Sequence, residues 1–250
     1  MMKKRYIILF SLLLSLSVLS QSKKQYAKIK VSYSLKITID KNLAKHKSLL
    51  SSFPRSGLKI ETAASEFDFS LVFNDSISMF YLEKKLFSDN RSANLAIIFS
   101  GYFGRIKQLP NNYITENLQE DFGKFLVVRP YQKWELHDET KQIGEFVCFK
   151  ATTFYTVTTP KGKVFRRNFT AWYTPQLPYK FGPAGYGNLP GLIVELQGDG
   201  ITYGIKKIEF FNENNKKNQM PKLKKKRMIT EEEFEKLAAE DEKRWKNRNK

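Results

Sequence analysis

The sequence predicts a mainly β protein: a single curved antiparallel sheet or half-barrel with a C-terminal α-helix. Three observations carry this. Lys28 to Asp40 alternates apolar and polar side chains with period two, and shorter runs repeat that pattern further on. Turn residues separate the runs, and the strand–helix–strand rhythm of a parallel sheet is absent. After Phe211 the composition becomes polar and basic, then helical.

The elements follow in order. Ile29, Val31, Tyr33, Leu35, Ile37 and Ile39 share one face of the first run. Lys30, Ser32, Ser34, Lys36 and Thr38 share the other, which describes a half-buried strand. Asn42 to Ser51 reads as a short helix with Leu43, Leu49 and Leu50 on a loose apolar face, ended by Phe53-Pro54-Arg55-Ser56-Gly57. Glu66 to Phe73 alternates through Phe67, Phe69, Leu71 and Phe73. Asn74-Asp75 turns the chain, and Ser76 to Leu82 returns with Ile77, Met79 and Tyr81. The two runs make a hairpin with an aromatic face.

Phe87 to Asn94 reads as a polar loop and Leu95 to Phe99 as a strand. A turn-rich passage leads to a strand over Phe122 to Val128. Tyr131 to His137 carries Trp134, and Asp138 to Gln142 reads as a polar turn. Gly144 to Thr153 and Val164 to Tyr173 are antiparallel partners around Lys161-Gly162-Lys163. The Gly/Pro-rich stretch Gly182 to Gly191 then runs into an apolar strand, Leu192 to Leu196. So many Gly and Pro residues in so few positions specify a shaped loop. Gly198-Asp199-Gly200 turns into a last strand, Ile201 to Phe211. Residues 21–211 thus read as one β-rich domain, and 212–250 as a basic linker and helix. Thr230 and Glu233 form a capping box at that helix, and Phe234, Leu237, Ala238 and Trp245 share a face.

The first 20 residues read as a secretory leader. Lys3, Lys4 and Arg5 precede the apolar run Tyr6 to Leu19, and Val18 and Ser20 set a cleavage site before Gln21. The expected location is the periplasm or the outer membrane, or outside the cell. Cys148 is the single cysteine, so no disulfide forms within the chain. Its setting, Phe146-Val147-Cys148-Phe149, suits a buried small hydrophobe.

The formal net charge of +18 fits either a surplus of surface lysine or an anionic partner such as a membrane surface. Export argues against nucleic acid. No cofactor or metal is implied. His46 and His137 stand alone in polar segments, and no zinc, phosphate-loop or nucleophile-elbow motif occurs. Glu195 is the one acid out of pattern. If buried it needs a partner, and Arg167 or Arg166 is the natural one. A structural ion pair and an unrecognised hydrolase acid are the two roles open to it.

Trp172, Tyr173, Tyr179, Phe181 and Tyr186 gather around the glycine-rich loop. They either pack a sheet end or form a binding surface with Gly187, Asn188, Leu189, Pro190 and Gly191.

Asn188-Leu189-Pro190-Gly191-Leu192-Ile193 resembles the signature of the GLPGLI family, exported proteins of Bacteroidetes-type bacteria. Ile143 to Thr153 is similar to the family's segment with glycine, cysteine and Lys-Ala-Thr, and Arg167 to Thr174 to its Ala-Trp-Tyr-Thr segment. Asn188 stands where the signature has its first glycine, a residue type that tolerates the left-handed region. The resemblance implies export and a β-rich fold, with no activity attached. On strand pattern alone the sheet also resembles the lipoprotein-carrier (LolA-like) half-barrel. The expected function is non-enzymatic binding of a lipid, acyl chain or apolar peptide in the cell envelope, with the Trp172 to Tyr186 region as its mouth. The alternative is an accessory protein for an outer-membrane transporter or secretion system. The basic tail would meet an anionic envelope surface.

Overall fold

The computed structural model of the chain describes residues 27–39, 56–117, 123–158, 164–211 and 218–248. The expected leader (1–20), the short helix over 42–51 and the turn at 161–163 lie outside the described residues.

Strands β1 (Ile29–Ile37), β2 (Asp68–Phe73), β3 (Ser78–Leu82), β4 (Ile106–Gln108), β5 (Asn112–Asn117) and β6 (Phe125–Pro130) come first. They are followed by β7 (Glu135–Ile143), β8 (Phe146–Thr158), β9 (Val164–Thr174), β10 (Leu192–Gly198), β11 (Ile201–Phe210) and β12 (Arg227–Thr230). Helices α1 (Ser56–Ser65), α2 (Asn90–Ser100) and α3 (Glu231–Arg248) complete the elements. The chain is mainly β. Its strands form one open, curved 12-stranded sheet in the order β12-β6-β5-β4-β3-β2-β1-β11-β10-β9-β8-β7.

That order makes β1 the hub. It pairs antiparallel with β2 on one side and β11 on the other. From β2 the chain steps outward strand by strand to β6, then restarts at the far edge with β7 and steps back to β11. Both edges of β1 are therefore satisfied, and its apolar face is sealed: Val31 and Tyr33 are fully buried. The period-two pattern is cleanest here because a central strand with one buried face has the least freedom in register.

The main core lies on one face of the sheet. Phe67, Phe69, Phe73, Phe80 and Tyr203 pack there beneath α1, α2 and the glycine-rich loop. Phe69 and Phe80 stack at 5.2 Å between centroids, and Tyr203 meets both edge-on. The outer face is polar, with two small apolar clusters: Val72, Ile77 and Met79 under Met220, and Cys148 with Trp172 and Val194.

Two expectations fail for physical reasons. Leu95 to Phe99 lies in α2 and not in a strand, and that helix also takes in Asn90 to Asn94 of the expected polar loop. Asp89 caps that helix by accepting from the N–H groups of Arg91 and Ser92, and Ser92, Ala93, Ala96 and Ser100 form the buried stripe. Asp138 to Gln142 lies inside β7 and not in a turn. As an edge strand β7 is wetted on both faces, so it carries no alternation to read and its charges blunt the edge. One departure from the antiparallel plan also appears. β12 joins β6 in parallel. The last residues of β8 and the first of β9 extend past Thr152 and Phe169 as a two-stranded ribbon with no further neighbour.

Among the described residues no helix is long and apolar enough to cross a membrane, which says nothing of a β-barrel.

Candidate functional site

The glycine-rich loop is a structural plug on the covered face. Leu189 is buried in the main core, and Phe73 meets Tyr179 at 4.9 Å and Phe181 at 5.4 Å between ring centroids. Close backbone approach explains the glycines. A Cβ on Gly191 would stand 2.2 Å from the Thr174 carbonyl oxygen, and one on Gly187 2.8 Å from that of Lys180. Asn188 adopts φ 65°, in the left-handed region that asparagine tolerates.

Gln108, fully buried on β4, clamps the loop. Its Nε2 donates to the Tyr186 carbonyl at 2.9 Å, and its Oε1 accepts from Ser78 Oγ at 2.8 Å and the Gly182 N–H at 3.4 Å. Trp134 adds Nε1–H to the Gly187 carbonyl at 2.9 Å.

The sheet separates the residues that the sequence gathered. Neighbours on a strand face opposite ways. Tyr173 points into the main core, while Trp172 points to the outer face beside Cys148 and Val194. Leu189 and Gly191 are buried, and Asn188 and Pro190 are exposed.

The pair Glu195–Arg167 does not form. A bulge between Ile193 and Glu195 sets Glu195 opposite Trp172, on the outer face. There Lys141 of β7 donates to its carboxylate at 2.7 Å and lies 4.6 Å from the centroid of Trp172. Gln197 donates to the same oxygen at 2.7 Å. Arg167 belongs to the other face, opposite Tyr155, and pairs with Asp199. Arg166 stacks over Phe154 at 3.6 Å and donates to Asn168. The bulge carbonyl of Ile193 accepts from the buried Tyr33 hydroxyl at 2.6 Å. Burial pushes the Cys148 thiol up to about 11, which keeps it protonated and unreactive at neutral pH.

Open space lies next to the plug. A groove of about 1160 Å³ runs between the end of α2, strands β5 and β6, the β8–β9 ribbon and the first turns of α3. Tyr155, Phe169 and Tyr186 form part of its wall, in an aromatic ladder that continues behind it to Trp134. Tyr155 stacks on Phe169 at 5.8 Å, Phe169 on Tyr186 at 4.8 Å, and Tyr186 meets Trp134 at 6.1 Å. The ladder starts in solvent, with Tyr155 42% exposed, and passes through the buried Phe169 to the half-buried Tyr186 and Trp134. Opposite it, Arg129 pairs with Glu231 and lies over the Phe234 ring at 5.5 Å, tying α3 to β6. Gln132 donates Nε2–H to the Tyr113 hydroxyl at 3.1 Å, while its buried Oε1 has no partner. Burial raises the hydroxyl pKa of Tyr113 and Tyr186, so both stay neutral.

Of the sequence-predicted site residues, Tyr186 alone lines this groove. Tyr113, Arg129, Gln132 and Tyr155 were not singled out from sequence. A run of β-formers past Thr153, through Phe154-Tyr155-Thr156-Val157, was the signal that could have found Tyr155. Among the described residues no group of three His, Cys, Asp or Glu could hold a metal ion.

Residues 163–195 match a family model described as "Protein of unknown function (Porph_ging)". The match takes in β9, the glycine-rich loop and the start of β10. The structure titled "Structure of PNGF-II in C2 space group" is similar at TM-score 0.48 and 13% identity, over 85% of this chain and 33% of that one. The structure of PNGF-II in the P21 space group gives 0.46 and 10% over 86% and 34%. The chain spans about a third of the length of those structures. No curated protein matches it.

Proposed function

We propose that this protein is a non-enzymatic binding protein of the cell envelope, and that its groove takes an extended apolar ligand, an acyl chain or an apolar peptide segment. The observation that carries the reading is the aromatic ladder Tyr155–Phe169–Tyr186 along an open groove of about 1160 Å³. Ligand sites are concave and mostly apolar, with a few fixed polar groups. Here Arg129 and the unpartnered Gln132 Oε1 are those groups. The mouth is moved from the Trp172 to Tyr186 region, which the loop plugs, to the ribbon side of Tyr186. The leader at residues 1–20 supports export, and Asn188 to Ile193 within the matched stretch supports membership of the GLPGLI family. The Glu195 carboxylate is already engaged by Lys141 and Gln197, which favours a structural over a hydrolytic role.

The test is ligand extraction and native mass spectrometry of the mature chain, followed by displacement of a fluorescent fatty acid. Tyr155→Ala and Phe103→Ala remove exposed groove aromatics, and each should weaken probe binding about fivefold. No co-purified apolar species and no probe binding would end the reading.

A further inference from the structure

We propose that the segment Lys222–Met228 is a preformed docking ridge for an anionic membrane surface. This rests on observations separate from the groove. The sequence alone makes the segment look like a loose basic tail, yet its backbone is held at Lys222, at Lys224 and from Arg227 onward. The Ala27 N–H donates to the Asn218 carbonyl at 2.8 Å, and the Arg105 guanidinium donates to the Lys222 carbonyl at 2.5 Å. The Lys224 N–H donates to the Glu116 carboxylate at 2.6 Å. Met220 and Ile229 are buried at either end, and Arg227 to Thr230 pair with β6.

The side chains do the reverse. Lys222, Lys224 and Lys225 are exposed, and among the described residues none has an ion-pair partner. The buried Glu116 carboxylate is spent on backbone N–H groups, from Lys224 and Arg105, and not on a lysine ammonium. Met228, at 55% exposure, sets an apolar tip beside the cations. Fixed backbone with free ammonium groups means that binding orders little of the chain. Arg227 is taken up by Glu233, and the four lysines in five residues, Lys222 to Lys226, form a cluster of the size that recognises anionic headgroups. The occupant is a membrane, because the exposed Met228 beside the cations has an apolar layer to enter there, whereas a nucleic-acid backbone offers the lysines phosphates alone.

The experiment is co-sedimentation of the full mature chain with vesicles of phosphatidylcholine alone or mixed with phosphatidylglycerol, at low and high salt. The chain should bind the mixed vesicles only, and lose binding at high salt. The variant K222Q/K224Q/K225Q should bind roughly a hundredfold more weakly. K84Q/K133Q/K180Q removes equal charge from exposed lysines elsewhere and should bind as the parent does. Circular dichroism melts confirm that both variants fold. Equal binding to neutral vesicles, or equal losses in the two variants, would overturn the proposal. So would tight retention on an oligonucleotide with no vesicle binding.

Discussion

Gln108 and Tyr186 are joined side chain to backbone: Nε2 of the buried carboxamide donates to the Tyr186 carbonyl at 2.9 Å. The other end of the same carboxamide holds Ser78 Oγ and the Gly182 N–H. One side chain on a three-residue strand thus grips both sides of the Pro183–Gly185 turn and fixes the floor of the groove.

Gln108→Leu should destabilise the protein by about 3 kcal/mol, because it strands two donors, Ser78 Oγ–H and the Gly182 N–H, and the Tyr186 carbonyl at once. Gln108→Glu can still accept from Ser78 but cannot donate to Tyr186. Urea denaturation gives the cost. Hydrogen exchange should show faster exchange at Gly182 to Asn188 in both variants; unchanged rates there would show that the clamp does not hold the loop.

The glycines of the loop differ from those of ordinary turns. Gly191→Ala drives a Cβ into the Thr174 carbonyl and should cost more than about 3 kcal/mol. Gly144→Ala meets nothing within 4 Å and carries only the strain of φ +57°, about 1 kcal/mol. Asn188→Gly should be neutral, and Asn188→Val should cost about 1–2 kcal/mol. Thermal melts of the four variants check the ranking.

Double-mutant cycles decide the ion-pair assignment. Glu195→Gln with Lys141→Met should show a coupling of about 0.5–1 kcal/mol, as expected for a half-exposed pair. Glu195→Gln with Arg167→Met should show none, since the two lie on opposite faces. Coupling in the second cycle would restore the pairing that sequence spacing suggested.

Acid stability should depend on Glu83. Its burial pushes the carboxyl pKa up, but hydrogen bonds from Lys30 at 2.8 Å and Ser70 at 2.7 Å outweigh that and hold it below its ordinary 4.5. A carboxyl depressed in the folded state adds stability that is present above 4.5 and lost as pH falls through the folded value. For Lys30 burial acts to lower the pKa, yet Glu83 carries it above 10.5, so its share is lost only as pH rises past that value. Denaturant melts from acid to alkaline pH should show a plateau between these limits. Glu83→Gln should lower the plateau and flatten its acid edge; an unchanged acid edge would remove Glu83 from the account.

Legibility in the sequence followed burial. β1 and β9 were readable because each presents one face to the core, and period two is the imprint of that asymmetry; the β2–β3 hairpin was readable because Phe67, Phe69 and Phe73 all fall on the main-core face. α2 was misread because Leu95 to Phe99 is a short apolar run, for which periodicity does not separate strand from helix. The Asp89 cap was the signal that would have corrected it. β4 and β5 are short and lie in polar sequence, held in the sheet by neighbours on both sides.

By itself the sequence determined the β class, the shaped loop with its left-handed Asn188, and the basic segment ahead of a capped helix. These are local properties, written in residue types and their spacing. The tertiary structure alone decided that β1 sits at the centre, that Lys141 and not Arg167 meets Glu195, and that the open groove lies beside Tyr186 with the loop as its plug. Those depend on which strand pairs with which, and on a single bulge that sets which way a side chain faces. Neither pairing is encoded in any one segment, because Glu195 meets Trp172 and Lys141, and β1 meets β11, across long stretches of chain.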